Sequence, residues 1–200
     1  MIVSNAANLI LASASPRRKE LLELAGFRFT VRARPVEEVR GAGEDARDYV
    51  TRLARAKAEA ARESAEEIVL GADTTVVLED RVLEKPHSVA GAKAMLRALS
   101  CREHTVLTGI CLLYRDRAIV ECEATRVSFV ALSEREIDEY VASGEPMDKA
   151  GAYGIQGLAS KFVDRIDGCF FNVMGLPLAV VYRSIGEIAG GVETSRDGAR

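Results

Sequence analysis

The sequence predicts a mixed α/β fold, with parallel β-α units near the start of the chain and antiparallel strand pairs later. An apolar run over residues 8–13 leads directly into a Ser-Pro helix start, which is the pattern of a buried strand followed by a helix. Two β-rich runs, over residues 105–114 and 118–132, flank a polar turn and predict a long antiparallel hairpin. No linker divides the 200 residues, so we expect one domain over residues 1–189, with any second lobe inserted around the hairpin.

Strand and helix patterns alternate through the first half of the chain. The first helix begins at Ser15, an N-cap residue type, has Pro16 at its first position, and ends at Gly26, which suits the left-handed residue after a helix. The next predicted elements are a strand over 27–31, a charged loop over 32–43, a long helix over 45–62, strands over 68–72 and 75–78, a turn at 79–81, a strand at 82–83 and a helix over 88–99.

The hairpin dominates the second half of the chain, with its polar turn predicted at residues 115–117. Ser133 and Glu136 have the spacing of a capping box and open a helix that ends near residue 141. The remaining predicted elements are a Gly-rich loop over 144–160, a strand over 161–166, a last helix that follows Pro177 and ends near 188, and a small, polar tail over 190–200. The composition of the tail predicts disorder.

Composition and charge exclude several classes of protein. The 27 basic and 30 acidic residues give a net charge of −3, which excludes a broadly basic nucleic-acid coat. Trp is absent and aromatic residues make up only 6%, so we expect no base-stacking platform and no direct binding to nucleic acid. The four cysteines form no C-x-x-C pair and are interpreted as small hydrophobic residues in a reducing compartment. Because no apolar run approaches the ~20 residues of a membrane span and no signal-peptide core is visible, we expect a cytoplasmic protein without membrane contact.

The turn between the first strand and the first helix is the first candidate for binding chemistry. Free N–H groups and the helix dipole favour an anion there. Arg17 and Arg18 lie in the first helical turn, where the helix dipole disfavours positive charge. A phosphate bound by their guanidinium groups would offset this unfavourable interaction. A capped helix with two solvated arginines is the competing interpretation. The turn is no P-loop, because G-x-x-x-x-G-K-[ST] does not occur in the sequence.

Acidic residues offer a second kind of chemistry. Asp73 is predicted at the end of an apolar strand, where a carboxylate can hold a divalent metal or take a proton from water at the edge of a sheet. An aspartate that caps a turn is the alternative. Glu37 and Glu38 precede the long helix, and a solvated pair is the default interpretation for them.

Two lysines and one loop complete the set. Lys57 lies on or near the apolar stripe of the long helix, where it can reach into a cleft or keep its ammonium in water at the edge of the stripe. Lys85 precedes Pro86 in an extended segment and is either a phosphate contact or an ordinary surface lysine. The loop over 148–157 has three glycines and Gln156, which allow amide recognition of a base edge; a flexible connector is the alternative. Together, these residues suit a metal-bound polyphosphate.

Four ordered motifs carry a resemblance to a known family. They are residues 11–18 (LASASPRR), 71–74 (GADT), 84–86 (EKP) and 149–157 (KAGAYGIQG). With these motifs, the sequence resembles the Maf family of nucleoside triphosphate pyrophosphatases, also called septum-formation-inhibitor-like proteins, over nearly the whole chain. The resemblance implies a Maf/ITPase-like α/β fold with an elongated mixed sheet and a central cleft. It also implies hydrolysis of a nucleoside triphosphate to the monophosphate and pyrophosphate, a divalent cation such as Mg²⁺ or Mn²⁺, and a homodimer.

The resemblance also implies roles for individual residues. Asp73 looks like the proton acceptor and a metal ligand, and Glu38 would complete the metal site. The implied phosphate contacts are Ser13, Arg17, Arg18, Lys57, Lys85 and Lys149. Family subgroups differ at three positions, and Arg17, Thr74 and Gln156 together resemble the subgroup that acts on dTTP and UTP. Modified pyrimidine nucleotides would be further substrates, and such an enzyme would help to keep them out of nucleic acids.

A function of another class stays open beside catalysis. A nucleotide-binding regulator of cell division would act through a division-protein partner and would need no catalytic base. The joint presence of Asp73, Glu38 and Lys85 favours catalysis, because a pure binder needs neither a base nor a metal-binding acid. An unrelated α/β hydrolase or dehydrogenase is disfavoured, because the motifs of those enzymes are absent.

Overall fold

The computed structural model describes residues 8–190. Its strands are β1 (Leu9–Leu11), β2 (Phe29–Val31), β3 (Ile68–Leu78), β4 (Arg81–Leu83), β5 (Glu103–Tyr114), β6 (Arg117–Phe129) and β7 (Val163–Asp167). Its α-helices are α1 (Pro16–Leu24), α2 (Ala46–Ala61), α3 (Val89–Leu99), α4 (Glu134–Ala142), α5 (Phe170–Met174) and α6 (Leu178–Ile188). The tail predicted over 190–200 lies, except for its first residue, outside the described residues.

The strands form one seven-stranded mixed sheet in the order β2-β1-β3-β5-β6-β7, and β4 pairs with β3. β1 pairs in parallel with β2 and β3, whereas all the other strand pairs are antiparallel. β5 and β6 form the predicted long hairpin, closed by a two-residue turn at Arg115 and Asp116. The predicted fold class, a mixed α/β sheet flanked by helices, is confirmed. Among the helices of residues 8–190, none combines the length and the apolar character that a membrane crossing requires.

Helices cover both faces of the sheet around β1 and β3. Successive side chains of a strand point to opposite faces. Leu9 and Leu11 belong to a buried cluster with residues of α1 and α6, whereas Ile10 belongs to a cluster with alanines of α2. A further buried cluster joins α3 and α4 to β3, β4 and the end of the hairpin. The sheet is thus enclosed by helices where β3 passes through its centre.

α2 lies close to the sheet because two glycines face it. A Cβ atom added to Gly71 would lie 2.0 Å from the carbonyl oxygen of Ala54, and one added to Gly109 would lie 2.5 Å from that of Val50. Such separations are far below contact distance, so any larger residue would push the helix away from β3 and β5. The two glycines therefore set the distance between the sheet and Lys57, which lies on the same helix.

The position predicted for Asp73 at the end of a strand is wrong. The sequence pattern divides this stretch into two short strands, but β3 continues without a break through Asp73 and Thr74. Asp is depleted in strands, which is why the pattern indicates an end. In the fold, the ammonium of Lys57 lies 2.6 Å from the Asp73 carboxylate and compensates its charge in mid-strand. Asp73 is therefore not at the carboxyl edge of the sheet.

One edge of β3 is uncovered beside Asp73. β5 pairs with the opposite edge of β3 from Val69 to Val77, so β1 and β4 share this edge. β1 pairs with β3 as far as Leu70, and β4 pairs with β3 from Val76 onward. Within the described part of the chain, residues 71–75 have no strand neighbour on this edge. The interruption leaves room for a cleft at the centre of the molecule.

The ends of the helices agree with the sequence patterns in part. Gly26 follows α1 with a φ of 75°, and Ser133 and Glu136 form the capping box, so both predictions are confirmed. Ser15 occupies the N-cap position of α1 but makes no capping bond with its side chain. The predicted loop over 144–160 contains two 3-10 helices, Glu145–Asp148 and Ala150–Ala152, and the start of a third, Leu158–Phe162. Helix α5 was not predicted.

Candidate active site

A cleft of about 270 Å³ opens at the uncovered edge of β3. This volume is close to the lower limit of small-molecule sites. Its walls come from the β1–α1 turn, the loop before α2, the segment after β4, residues 148–156 and the end of α5. The predicted site residues in these walls are Arg17, Arg18, Glu38, Lys57, Asp73, Thr74, Lys85, Lys149 and Gln156. Ser13 is not in the wall and binds Arg18 instead.

Lys57 joins the two acidic residues of the predicted site. Its ammonium lies 2.6 Å from Oδ1 of Asp73 and 2.7 Å from Oε1 of Glu38. The side chains of Lys57 and Asp73 are only 13% and 12% exposed, whereas that of Glu38 is about half exposed. Because α2 packs directly on β3, the side chain of Lys57 reaches Asp73 on that strand. Its ammonium therefore lies between the carboxylates of Asp73 and Glu38.

The same surroundings change the proton affinities of the two acids in opposite directions. Burial raises the pKa of Asp73 above its ordinary value, although the charges of Lys57 and Arg18 act against this. Partial burial also acts to raise the pKa of Glu38, but the hydrogen bond and charge of Lys57, with the charge of Lys85, outweigh it and lower that pKa. A carboxylate with raised proton affinity suits a base, and one with lowered proton affinity suits a permanently charged ligand.

Arg18 is buried and held by four hydrogen bonds. Its Nε donates to the carbonyl oxygen of Gly175 at 2.8 Å, and its Nη1 donates to the carbonyl oxygen of Ala72 at 2.8 Å and to Oγ of Ser13 at 3.1 Å. Its Nη2 donates to Oγ1 of Thr74 at 3.0 Å. A guanidinium has five N–H groups, so one, on Nη2, has no protein acceptor within residues 8–190. Burial lowers the pKa of Arg18 from its ordinary value, but a guanidinium keeps its charge in proteins.

Asp148 holds two further cations beside the cleft. Its Oδ2 lies 3.1 Å from Nη1 of Arg17, and its Oδ1 lies 2.7 Å from Nζ of Lys149. The Lys149 ammonium also donates to the carbonyl oxygen of Glu145 at 2.6 Å. Partial burial acts to raise the pKa of Asp148, but the hydrogen bonds from Lys149 and Arg17 outweigh it and lower that pKa. The carboxylate therefore fastens the first helix to the segment that carries Gln156.

The remaining predicted residues differ in whether their polar groups are exposed for a ligand or already hydrogen-bonded within the protein. Lys85 and Gln156 are exposed on the cleft wall. The hydroxyl of Thr74 is occupied, since it lies 3.0 Å from Arg18 Nη2 and 2.9 Å from Thr108 Oγ1. The cleft thus collects cationic side chains from four segments of a chain whose net charge is −3.

Tyr49 and Glu84 also line the cleft, although the sequence reasoning gave them no role. The Tyr49 hydroxyl lies 2.8 Å from Oε1 of Glu84, and the carbonyl oxygen of Glu38 is a second acceptor at 3.2 Å. The tyrosine therefore ties the loop that carries Glu38 to the segment that carries Lys85. The signal was present in the sequence, because Tyr49 shares the apolar stripe of α2 with Lys57 and Glu84 belongs to the EKP motif.

The oxygen donors for a divalent cation are present but few. Among residues 8–190, no group of three or more His, Cys, Asp or Glu side chains is arranged to hold a metal ion. Oδ2 of Asp73 and Oε2 of Glu38 receive no hydrogen bond from the described residues. Mg²⁺ is commonly bound by one or two carboxylates together with substrate phosphates. This donor set therefore fits a cation that is shared with a bound polyphosphate.

The fold and the cleft define a mixed α/β protein whose site is lined by five Arg and Lys side chains and four carboxylates. The chain matches the family model of the Maf-like proteins over residues 8–188. It is 54% identical over 176 residues to the dTTP/UTP pyrophosphatase of Koribacter versatilis (strain Ellin345), covering 88% of this chain and 91% of that protein. It is 49% identical over 182 residues to the dTTP/UTP pyrophosphatase of Bacillus cereus (strain ATCC 10987 / NRS 248), covering 90% of each. The chain belongs to the Maf family.

A solved structure of another nucleotide hydrolase shows a weaker likeness. It is the nucleoside-triphosphatase, dITP/XTP pyrophosphatase, of Mycobacterium abscessus ATCC 19977, with 13% sequence identity and a TM-score of 0.44. The alignment covers 91% of this chain and 97% of that one. A likeness this weak adds nothing to the family assignment.

Proposed function

We propose that this chain is a nucleoside triphosphate pyrophosphatase that hydrolyses dTTP and UTP to the monophosphate and pyrophosphate. Water attacks the α-phosphorus and pyrophosphate leaves. The observation that carries the proposal is the buried Asp73 carboxylate, held by Lys57, in a cleft that cationic side chains from four segments surround. The names of the relatives in the family support the choice of nucleotides.

Asp73 is the proposed general base. Lys57 holds its Oδ1, while its Oδ2 has no partner among the described residues and is available to accept a proton from water. Burial raises the pKa of Asp73 and so strengthens it as a base. The ammonium of Lys57 acts to lower this pKa and so keeps the carboxylate in the charged form that can accept a proton. Burial therefore strengthens the base, and Lys57 keeps it ionised.

The cationic side chains are the proposed phosphate contacts. Arg17, Arg18, Lys57, Lys85 and Lys149 bind phosphate oxygens and stabilise the charge that develops on the departing pyrophosphate. Preorganised charge of this kind dominates catalysis of phosphoryl transfer. Ser13 contributes through Arg18, because its hydroxyl accepts from Nη1 of that residue at 3.1 Å and lies outside the cleft wall.

A divalent cation, Mg²⁺ or Mn²⁺, is part of the proposal, with Asp73 and Glu38 as its protein ligands. When bound, such an ion supplies charge neutralisation at the phosphates and a lower pKa for a coordinated water. Within residues 8–190, Oε2 of Glu38 has no hydrogen-bond partner, which supports this assignment, and Oδ2 of Asp73 has two lone pairs, so it can face both the ion and the water whose proton it accepts.

Base preference is assigned to Gln156, with Arg17 and Thr74 as the other two specificity positions. The exposed amide of Gln156 offers both a donor and an acceptor to the edge of a pyrimidine, including modified pyrimidines. A Gln156→Glu variant replaces the amide donor by an acceptor, so we expect it to change the ratio of kcat/KM between dTTP and purine nucleotides. An unaltered preference would remove Gln156 from the assignment.

The test of the proposed reaction is pyrophosphate release from a panel of canonical and methylated nucleoside triphosphates with Mg²⁺ or Mn²⁺. We expect dTTP and UTP to give the monophosphate, and an Asp73→Asn variant to lose activity by about 10²- to 10⁴-fold, the range of general-base catalysis. Asp138→Asn is the matched control, because Asp138 pairs with Lys93 away from the cleft. No release from any nucleotide would favour the regulator of cell division, and near wild-type turnover by Asp73→Asn would refute the base.

The setting of the enzyme is part of the same proposal. We place it in the cytoplasm as a homodimer that keeps modified pyrimidine nucleotides out of nucleic acids. The homodimer is what the family resemblance implies, and Val120 on β6 is an exposed apolar residue of the hairpin. Light scattering of the purified chain is expected to give the mass of two chains, and a monomer mass would contradict the dimer.

A further inference from the structure

A chain of hydroxyl groups leads from Arg18 through the sheet to α5. Arg18 Nη2 donates to Thr74 Oγ1 at 3.0 Å, and this oxygen lies 2.9 Å from Thr108 Oγ1 on the neighbouring strand. Thr108 Oγ1 in turn donates to the carbonyl oxygen of Asn172 at 3.1 Å. Thr108 and Asn172 are fully buried, are not part of the cleft wall, and belong to none of the motifs singled out in the sequence.

The number of hydrogens, together with the distances, favours one direction for this chain. A carbonyl oxygen can only accept, so Thr108 gives its single hydroxyl hydrogen to Asn172 and must accept from Thr74. Thr74 then has no hydrogen left for another acceptor, and its oxygen accepts from Arg18. The competing acceptor for Thr74, the carbonyl oxygen of Gly175, is farther away, at 3.4 Å.

A second set of hydrogen bonds connects Nε, at the other end of the Arg18 guanidinium, to the same short helix, α5. Arg18 Nε donates to the carbonyl oxygen of Gly175 at 2.8 Å, and the Gly175 N–H donates to the carbonyl oxygen of Asn172 at 2.9 Å. The Asn172 amide is fixed in turn, because Nδ2 donates to the carbonyl oxygen of Val106 and to Oγ1 of Thr125, both at 3.0 Å. A rotation of the guanidinium plane would therefore break bonds at both ends of the group.

We propose that Thr108 is a positioning residue of the phosphate site, which orients the Arg18 guanidinium through the hydroxyl of Thr74. The inference rests on the proposed function in one respect, that Arg18 binds phosphate. It also changes the role of Thr74, whose hydroxyl has no hydrogen to offer a nucleobase. The effect of Thr74 on nucleotide use therefore runs through Arg18.

The first test replaces the Thr108 hydroxyl by a methyl group in Thr108→Val and measures binding of pyrophosphate with Mg²⁺ by calorimetry. We expect the affinity for pyrophosphate and the kcat/KM for dTTP to fall together by about fivefold to tenfold, the factor that loss of one net hydrogen bond gives. Thr108→Ser keeps the hydroxyl and is expected to restore both values. Thr105→Val is the matched control, because Thr105 lies on the same strand and its hydroxyl makes no hydrogen bond with the described residues.

The second test is a double-mutant cycle with Thr74→Val. Residues that act in one chain give non-additive losses, so the double variant should bind pyrophosphate no more weakly than Thr74→Val alone. If Thr108→Val does not fold, Thr108→Ala carries the same comparisons. Additive losses, wild-type affinity in the Thr108 variant, or failure of Thr108→Ser to restore binding would each overturn the inference.

Pyrophosphate binding separates this inference from the proposed reaction. A wild-type chain that binds pyrophosphate but hydrolyses no nucleotide would end the proposed function, while the variant series would still decide the role of Thr108. A wild-type chain that binds no pyrophosphate would overturn the inference itself, because Arg18 would then have no phosphate to meet.

Discussion

Replacing Lys57 by methionine would show how far this residue controls the base. The ammonium lies 2.6 Å from the Asp73 carboxylate, and both side chains are nearly buried, so solvent screens the pair little. A hydrogen bond to a charged group contributes about 1.5–3 kcal/mol, which corresponds to about one to two pH units. Removal of the positive charge disfavours the ionised carboxylate, so we expect the acid limb of the kcat/KM profile in Lys57→Met to move to higher pH by that amount.

The assay is the rate of pyrophosphate release from dTTP as a function of pH for wild type, Lys57→Met and Lys93→Met. Lys93 is also a helix lysine paired with an aspartate, 2.7 Å from Asp138, but it lies outside the cleft, and its variant should keep the wild-type profile. If Lys57 only binds phosphate, kcat/KM falls by the same factor at every pH and the limb stays in place. A limb that does not move would refute the reasoning about Asp73.

Three further predictions concern the scaffold of the site. Gly71→Ala drives a Cβ to 2.0 Å from the carbonyl oxygen of Ala54, so α2 must shift, and we expect a loss of about 3 kcal/mol in the free energy of unfolding by urea. Burial lowers the pKa of His104 to about 4, so the unfolded chain takes up a proton on acidification before the folded one does. Wild type should therefore lose about 2 kcal/mol of stability between about pH 7 and pH 5 through this residue, and His104→Gln should lack that slope. Tyr49→Phe removes the hydroxyl 2.8 Å from Glu84 and should cost about 1–2 kcal/mol in the same urea measurement.

Each of these predictions has a control and a contrary outcome. Gly41→Ala adds a Cβ with no close backbone neighbour, and Tyr182→Phe changes an exposed tyrosine, so both should leave stability almost unchanged. A Gly71→Ala variant as stable as Gly41→Ala would mean that the backbone of α2 does not pack closely against Gly71. Equal pH slopes in wild type and His104→Gln would contradict burial of a neutral histidine, and a Tyr49→Phe variant as stable as wild type would contradict the Glu84 contact.

Local patterns in the sequence predicted much of the fold. Gly26 after the first helix, the capping box of Ser133 and Glu136, and the two runs of the hairpin are each defined by neighbours in the chain, and the structure contains all of them. The five residues of α5 are too short for a helical period to appear, and only the fold around them specifies that helix. The strand through Asp73 was interrupted in the prediction because its compensating charge comes from Lys57 on a packed helix, which no local pattern shows.

The candidate site, like the fold, could be predicted from the sequence only in part. The four sequence motifs contain six of the nine Arg, Lys, Asp and Glu residues of the cleft wall, because each motif is a continuous stretch; Glu38, Lys57 and Asp148 lie outside the motifs. Contacts between distant segments could not be predicted from local patterns in the sequence. Arg18 binds Gly175, 157 positions along the chain, and Arg17 binds Asp148, 131 positions away. Thr108 and Asn172 carry no charge and resemble ordinary strand and helix residues, so only the hydrogen bonds of the folded chain assign them a place.

The most direct test of the central claim follows the oxygen atom of the attacking water. Hydrolysis of dTTP by the wild-type chain in ¹⁸O-labelled water, with the products separated and weighed by mass spectrometry, locates the phosphorus that is attacked. Attack at the α-phosphorus predicts one labelled oxygen in the monophosphate and none in the pyrophosphate. Label in the pyrophosphate, or release of orthophosphate in its place, would contradict the account.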